Sequence, residues 1–355
     1  MRATDARAIR GPLLRWYRRA KRDLPWRRTK DPYAIWVSEA MLQQTTVAAV
    51  IPYWRRFLAR YPTLKSLAAS REDDVLAAWS GLGYYRRARA LREGAIAVME
   101  RHNGRVPKTI EALLELPGVG RYTAGAIASV AFGREEPVVD GNVKRVFSRQ
   151  FAIRGRSSAA LEKRYWSIAD ELVDGPSPGD WNQALMELGA TVCTPREPRC
   201  DRCPVALWCR ALALGQVAKF PVRKASAPVR VVPTAVAWVE RDGRVLLQRR
   251  QADGPLRGVW DLPAAVVPPH VTPTSAIVRA ISKSHGFTVR GRGVMLQAKH
   301  SILSTRLTID VVDIAPGASI PRRAALRWAS VGRLGNVAIS GATAKIARAV
   351  LARPT

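Results

Sequence analysis

Between Asp31 and Glu72 the chain holds one acidic residue, Glu39, inside the apolar run AIWVSEAMLQQTT. Ile35, Trp36, Met41 and Gln43 are its neighbours at helical spacing, and a carboxyl on a face that becomes buried cannot easily stay ionised. Desolvation would raise its pKa and make it a proton donor near neutral pH. A surface glutamate on a polar stripe with Ser38 fits the same pattern. A second carboxylate, Asp140 in PVVDGNVKRVFSR, stands directly before a helical run, where its first role is to cap free N–H groups. The helix N-terminus would also hold it as the anion. One neutral and one charged carboxyl suit the cleavage of a glycosidic bond through an oxocarbenium-like transition state. For a DNA partner that bond is the N-glycosidic bond of a nucleotide.

The four cysteines, Cys193, Cys200, Cys203 and Cys209, share one seventeen-residue window as C-x6-C-x2-C-x5-C. That crowding speaks against a dispersed disulfide framework and against four unrelated core thiols, and thiolates so spaced suit zinc or an iron–sulfur cluster. The loop between the first two, TPREPR, would present Arg196 and Arg199 to a phosphate backbone. Leu116-Pro117-Gly118-Val119-Gly120 separates two helical segments. Gly118 and Gly120 allow close backbone approach, the next helix begins with free N–H groups, and Arg121 adds a cation, which together suit phosphate.

These groups need a scaffold, and the spacing of apolar residues supplies one. Helical periodicity runs from Pro32 to Ala59 and recurs at about 72–79, 86–101, 109–116, 121–131, 142–151, 159–173 and 180–190. The character changes after Phe220: PVRKASAPVRVVP (221–233) reads as a linker. Beyond it, two β-rich runs flank Asp242-Gly243, a hairpin signal, ILSTRLTIDVVDI is a further strand candidate, and SAIVRAISKSHG has helical spacing. A mostly helical domain over 1–220 is thus followed by an α+β domain over 234–355. Lys and Arg number 58 against 28 Asp and Glu, a net charge of +30. The surplus is 39 against 22 up to residue 225 and 19 against 6 beyond it, so both parts face a polyanion. No run of apolar residues spans a membrane, the charged first residues lack a secretory signal, and the expected location is cytoplasmic, associated with the nucleoid.

SEAMLQQT, GLGYY, LPGVGRYTAGAI, VVDGNVKR and the cysteine pattern stand in one order, and together they resemble adenine DNA glycosylases of the MutY type. The resemblance is close over residues 12–220. It implies a mostly α helix-hairpin-helix glycosylase fold with an iron–sulfur module, a [4Fe-4S] cluster in the 193–209 loop, and a monomer. It further implies excision of adenine opposite 8-oxoguanine or guanine in double-stranded DNA after the base is flipped into a pocket. Glu39 would protonate N7 of adenine, and Asp140 would stabilise the positive sugar, with Asn142 and Tyr122 beside it. Trp26, Arg27, Gln43 and Glu187 would lie near the adenine, with Gln44 as a wedge and Tyr84 pushing at the stack. Endonuclease III-like relatives place a lysine nucleophile at position 122; tyrosine offers no Schiff base, so a monofunctional enzyme is expected. Thymine-mismatch glycosylases also lack that lysine but usually lack a second domain.

The second domain resembles a MutT-like, Nudix-type domain. Its helix reads RAISKSHG (279–286) where a hydrolase needs clustered glutamates for magnesium, so nucleotide hydrolysis is not expected. The family reads 8-oxoguanine with a Phe-Ser-His tripeptide, whereas this chain has Ile302-Leu303-Ser304 after Ser301. Loss of a serine at 303 implies a weaker preference for the oxidised base. A catalytically silent DNA-binding module would share the charge, the hairpin and the cysteines, but would gain nothing from a carboxyl in an apolar helix.

Overall fold

The computed structural model describes residues 8–155, 158–222, 228–251, 254, 256–302, 304–315, 320 and 323–353. The chain divides into two compact units, residues 1–68 with 93–225, and residues 69–92 with 226–355. Segment 69–92, which carries GLGYY, groups with the second unit, although its helical character resembles that of the first.

The helices are α1 (Arg10–Ala20), α2 (Pro32–Leu42), α3 (Val47–Arg60), α4 (Leu64–Ala68), α5 (Glu72–Ala78), α6 (Arg86–Arg101), α7 (Ile110–Leu114), α8 (Arg121–Phe132), α9 (Gly141–Gln150), α10 (Ala159–Val173), α11 (Pro178–Thr191), α12 (Arg210–Ala213), α13 (Pro273–His285) and α14 (Gly341–Leu351). The expected helical run over 32–59 is two helices. The apolar spacing passes through the break because α2 and α3 both bury residues, but Gln44 takes φ 57° and turns the chain. Asp31 starts α2 by accepting from the Tyr33 N–H at 3.0 Å, with Pro32 in the first turn. Every residue of α2 from Tyr33 to Met41 is buried, so this helix has no solvent face.

The core of the first unit joins α1, α9, α10 and α11 through Leu13, Tyr17, Val143, Phe147, Leu172, Trp181 and Leu185, and takes in Val205 of the cysteine loop. Two glycines set close approaches. A Cβ on Gly189 of α11 would lie 2.6 Å from Asn142 Cβ, and one on Gly125 of α8 would lie 2.2 Å from the Pro137 carbonyl. Glycine at 189 therefore lets α11 touch the start of α9, where Asp140 and Asn142 stand.

In the second unit β1 (Arg230–Arg241), β2 (Arg244–Arg249), β3 (Trp260–Asp261), β4 (Ala264–Val266), β5 (Arg290–Ile302), β6 (Thr305–Ala315) and β7 (Leu326–Ser330) form a mixed sheet ordered β3-β2-β1-β6-β5, with β4 on β1 and β7 on β2. Asp242 (φ 50°) and Gly243 (φ 66°) make the expected tight hairpin between β1 and β2. Alternate residues of β1 enter two cores: Val236 and Trp238 join Ile346 of α14, while Ala235, Ala237 and Val239 join Ile277 of α13. A strand covered on both faces reads as a continuous apolar run, as AVAWV does.

Two boundaries differ from expectation. Ile302 ends β5, and β6 begins at Thr305, so the strand candidate at 302–314 spans a hairpin turn. Arg230–Pro233, expected as linker, open β1 and pair in parallel with Thr305–Thr308 of β6. A hairpin turn and an edge of parallel pairing leave no period of their own in the sequence. Linker residues 223–227 lie outside the described residues.

Candidate active site

Glu39 and Asp140 open on one cavity of about 230 Å³ in the first unit, whose wall also holds Trp26, Arg27, Tyr122, Asn142 and Glu187. Glu39 is 9% exposed, and its Oε2 is buried without a hydrogen-bond partner. The alternative of a surface glutamate beside Ser38 falls, because Ser38 is buried too. Burial pushes the Glu39 carboxyl up to about 7. The hydrogen bond from Tyr122 and the charge of Arg27 oppose the rise, and the anion at Asp140 adds to it. The Tyr122 hydroxyl is held well above its ordinary pKa by burial and by both carboxylates, and it also reaches Met186 Sδ at 3.4 Å.

Asp140 is the N-cap of α9. Its Oδ1 accepts from the Val143 N–H at 2.7 Å, and its Oδ2 accepts from Asn142 Nδ2 at 2.7 Å. These bonds fix the orientation of the carboxylate at the start of α9. Asn142 Oδ1 in turn accepts from Arg145 Nη2 at 2.8 Å, and Arg145 donates to the Cys193 and Gly189 carbonyls at 2.7 Å each. A chain of hydrogen bonds thus runs from Asp140 to the backbone of the first cysteine. Spacing in VVDGNVKR shows that Asn142 and Arg145 share a face of α9, but nothing in it shows the Cys193 carbonyl.

Glu187 is fully buried. Burial would raise its pKa, but Arg22 and Arg27 outweigh that and bring it down to about 2. Arg22 donates from its backbone N–H at 3.0 Å and its side chain at 2.8 Å; Arg27 donates at 2.8 Å to Oε2 and, through Nη1, at 3.0 Å to the Arg22 carbonyl. Both Glu187 oxygens are therefore occupied by guanidiniums. Arg22, Gln183 and Met186 belong to the cavity wall but were not expected there, since their positions carry no motif. Trp26 packs edge-on to Trp54 at 6.1 Å.

Other expected site residues lie outside this wall. Gln43 donates to Thr123 Oγ1 at 3.4 Å, whereas Gln44 is exposed in a left-handed conformation that presents its side chain outward. Tyr84, in the second unit, is likewise exposed and left-handed, at φ 50°. Ser301 and Ser304 stand exposed at the end of the β5–β6 hairpin, and the Ser304 carbonyl accepts from the Arg230 N–H at 2.8 Å; Leu303 lies outside the described residues.

The Gly118–Gly120 turn precedes α8, whose N-cap Gly120 gives no side-chain capping bond and whose first turn has no acidic residue. Its N–H groups can meet an anion. Arg121 is not a free cation: it pairs with Asp170 at 3.2 Å and lies 4.0 Å over the Trp166 ring. Arg196 is exposed, while Arg199 donates to the Thr191 carbonyl.

All four cysteines line one cavity with Arg149, Leu188 and Val192. Arg149 donates to Cys193 Sγ at 3.2 Å and to the Thr194 carbonyl at 2.7 Å. Burial pushes the Cys203 thiol up to about 12 and raises Cys200 and Cys209. Among the described residues no three His, Cys, Asp or Glu side chains converge on the position of a single metal ion.

Residues 37–171 match the family model of the HhH-GPD superfamily base excision DNA repair protein, and residues 234–349 match that of the NUDIX domain. The adenine DNA glycosylase of Homo sapiens is 38% identical over 409 residues, a match spanning 97% of this chain and 74% of that protein. That of Mycobacterium tuberculosis (strain CDC 1551 / Oshkosh) is 48% identical over 201 residues, 56% of this chain and 65% of that protein. A thermostable thymine-DNA glycosylase superposes with a TM-score of 0.54 at 31% identity, over 59% of this chain and 98% of that one. A trapped endonuclease III–DNA covalent intermediate shares the fold at TM-score 0.51 and 24% identity, over 61% of this chain and 99% of the other. With an acid poised near neutrality and a fixed anion on one cavity, and relatives of this identity along nearly its whole length, the chain belongs to the adenine DNA glycosylases, base-excision repair enzymes that remove adenine by hydrolysing its N-glycosidic bond.

Proposed function

We propose that this enzyme excises adenine paired with 8-oxoguanine or guanine in double-stranded DNA, by a monofunctional route. The observation that carries the reading is the shared cavity of Glu39 and Asp140, with Glu39 able to hold a proton near pH 7. A cavity of about 150 Å³ accepts a benzene, so 230 Å³ gives a flipped purine room. Protonation of N7 by Glu39 weakens the base's hold on C1′. As the C1′–N9 bond breaks, Asp140 faces the growing positive charge on the sugar; water then adds to C1′ and gives its proton to the Glu39 carboxylate. Tyr122 carries no amine, so no Schiff base between enzyme and sugar forms. Gln44 and Tyr84 enter the base stack as the adenine leaves it. The free N–H groups at the start of α8, with Arg196 and the net charge of +30, take DNA phosphates.

The four cysteines would hold a [4Fe-4S] cluster. Their common cavity and the C-x6-C-x2-C-x5-C spacing suit a cluster held by four thiolates. When bound, the cluster ties the 193–209 loop in place. Iron and acid-labile sulfide analysis tests it, with ~4 of each per chain expected and one zinc as the overturning result. The enzyme acts as a monomer where the chromosome lies, in the cytoplasm and on the nucleoid.

Single-turnover release of adenine from duplexes with the base opposite 8-oxoguanine or guanine tests the reaction. The expected result is release from both, with intact strands until alkali is added. With Ile302-Leu303-Ser304 in the reading segment, the preference for the oxidised base is expected to fall short of a serine-containing relative by about 1–3 kcal/mol. Rapid strand cleavage by the protein itself would defeat the monofunctional assignment.

A further inference from the structure

We infer that Arg87 is a positioning residue that holds Tyr84 out as a rigid stacking surface. The inference rests on the reading of Tyr84 as a side chain that enters the DNA stack, and it concerns a residue that no sequence motif marked. Tyr84 is 41% exposed, yet its neighbours Trp79 and Tyr85 are buried. It follows Gly81 (φ 101°) and Gly83 (φ 72°) in a loop whose left-handed turns continue through Tyr84 itself (φ 50°), a conformation that a bulky side chain keeps only when its surroundings impose it.

Arg87 supplies that constraint on both the backbone and the ring. Only 9% exposed, it donates from Nη2 to the Gly83 carbonyl at 3.1 Å and to the Leu82 carbonyl at 3.4 Å, while its backbone N–H donates to the Tyr84 carbonyl at 2.9 Å. Its guanidinium lies 5.4 Å from the Tyr84 ring centroid and 5.6 Å from that of Trp79. Trp79 Nε1 also donates to the Gly83 carbonyl at 3.2 Å. A planar fork can bond carbonyls and lie against rings at once, which a lysine ammonium cannot. Burial brings the Arg87 pKa down to about 10, so it remains a cation under the flanking rings at neutral pH. A cation behind the ring also draws π density inward, which favours stacking of the outer face on an electron-rich base. If Arg87 served packing alone, the ring in front of it would have no need to face solvent.

The test is a double-mutant cycle on the single-turnover rate of adenine release, with Arg87→Lys, Tyr84→Ala and the double variant. Arg87→Lys is expected to slow the parent roughly tenfold but the Tyr84→Ala enzyme no more than about twofold, because the two act as one unit. Arg87→Gln, which keeps donors for the carbonyls but no charge for the ring, is the second variant if the lysine form does not fold. It is expected to lose less rate with the same non-additivity. Equal fold-losses in both backgrounds, or a parent-like rate for the folded arginine variants, would overturn the inference while leaving Tyr84 its role. A parent-like rate for Tyr84→Ala would overturn that role and the inference together.

Discussion

Glu39 and Glu187 are glutamates on the wall of one cavity, both shielded from water, and their pKa values move in opposite directions. Glu187 meets two guanidiniums that bring it to about 2; Glu39 meets a tyrosine hydroxyl and a neighbouring anion and rises to about 7. Burial is common to both, so the partners decide. Arg27 touches both cases: it bonds Glu187 directly and only lowers Glu39 from a distance. The difference separates a carboxylate that holds the wall together from a carboxyl that the proposed reaction uses as its acid.

Removing the acid breaks the contrast most severely. Glu39→Gln is expected to slow adenine release about 10²–10⁴-fold and to flatten the pH dependence of the rate near 7. A variant with the parent's rate would transfer the proton donor elsewhere. Glu187→Gln should leave adenine chemistry possible but strand the buried Arg27 charge, costing about 3–5 kcal/mol of stability, read from urea unfolding. A stability unchanged by that substitution would mean that the arginines do not depend on Glu187.

Linkage gives the next test. The folded-state pKa of Glu39 lies above its ordinary value of 4.5, so the folded protein holds the proton more tightly, and stability is lost as pH rises from about 4.5 to about 7. The penalty above pH 7 is about 3 kcal/mol. Glu39→Gln escapes it, and should therefore gain on the parent between pH 4 and pH 8 by up to that amount. Parallel stability curves for the two proteins would show that Glu39 titrates normally. The smallest effect belongs to Tyr122→Phe. Without the hydroxyl that favours the Glu39 anion, the falling limb of the pH–rate profile should move to higher pH by less than about one unit. A shift to lower pH would reverse the role assigned to that hydrogen bond.

Much of this arrangement was legible in the residues. Glu39 stood out as a lone acid in an apolar run, Asp140 as a cap, and the cysteines by their spacing, because each signal is local and follows from helical period, capping chemistry or ligand geometry. The long helices α6, α10 and α11 fall close to their expected spans for the same reason. The break at Gln44 and the turn from Ile302 to Thr305 were not legible in the apolar spacing, and the strand character of Arg230–Pro233 was not because its partner, Thr305–Thr308 of β6, is distant in sequence.

The sequence by itself determined that two carboxyls of unlike surroundings and a thiol cluster exist in a basic, two-part chain, for composition and short-range order suffice to state that. Only the tertiary structure decided that Arg22 and Arg27 neutralise Glu187 while Glu39 Oε2, among the described residues, has no hydrogen-bond partner, and that Arg145 ties Asn142 to the Cys193 carbonyl. Such pairings follow from which helices approach, and that depends on glycines such as Gly189 where two backbones meet with no room for a Cβ. A charge has no fixed pKa until its neighbours are in place.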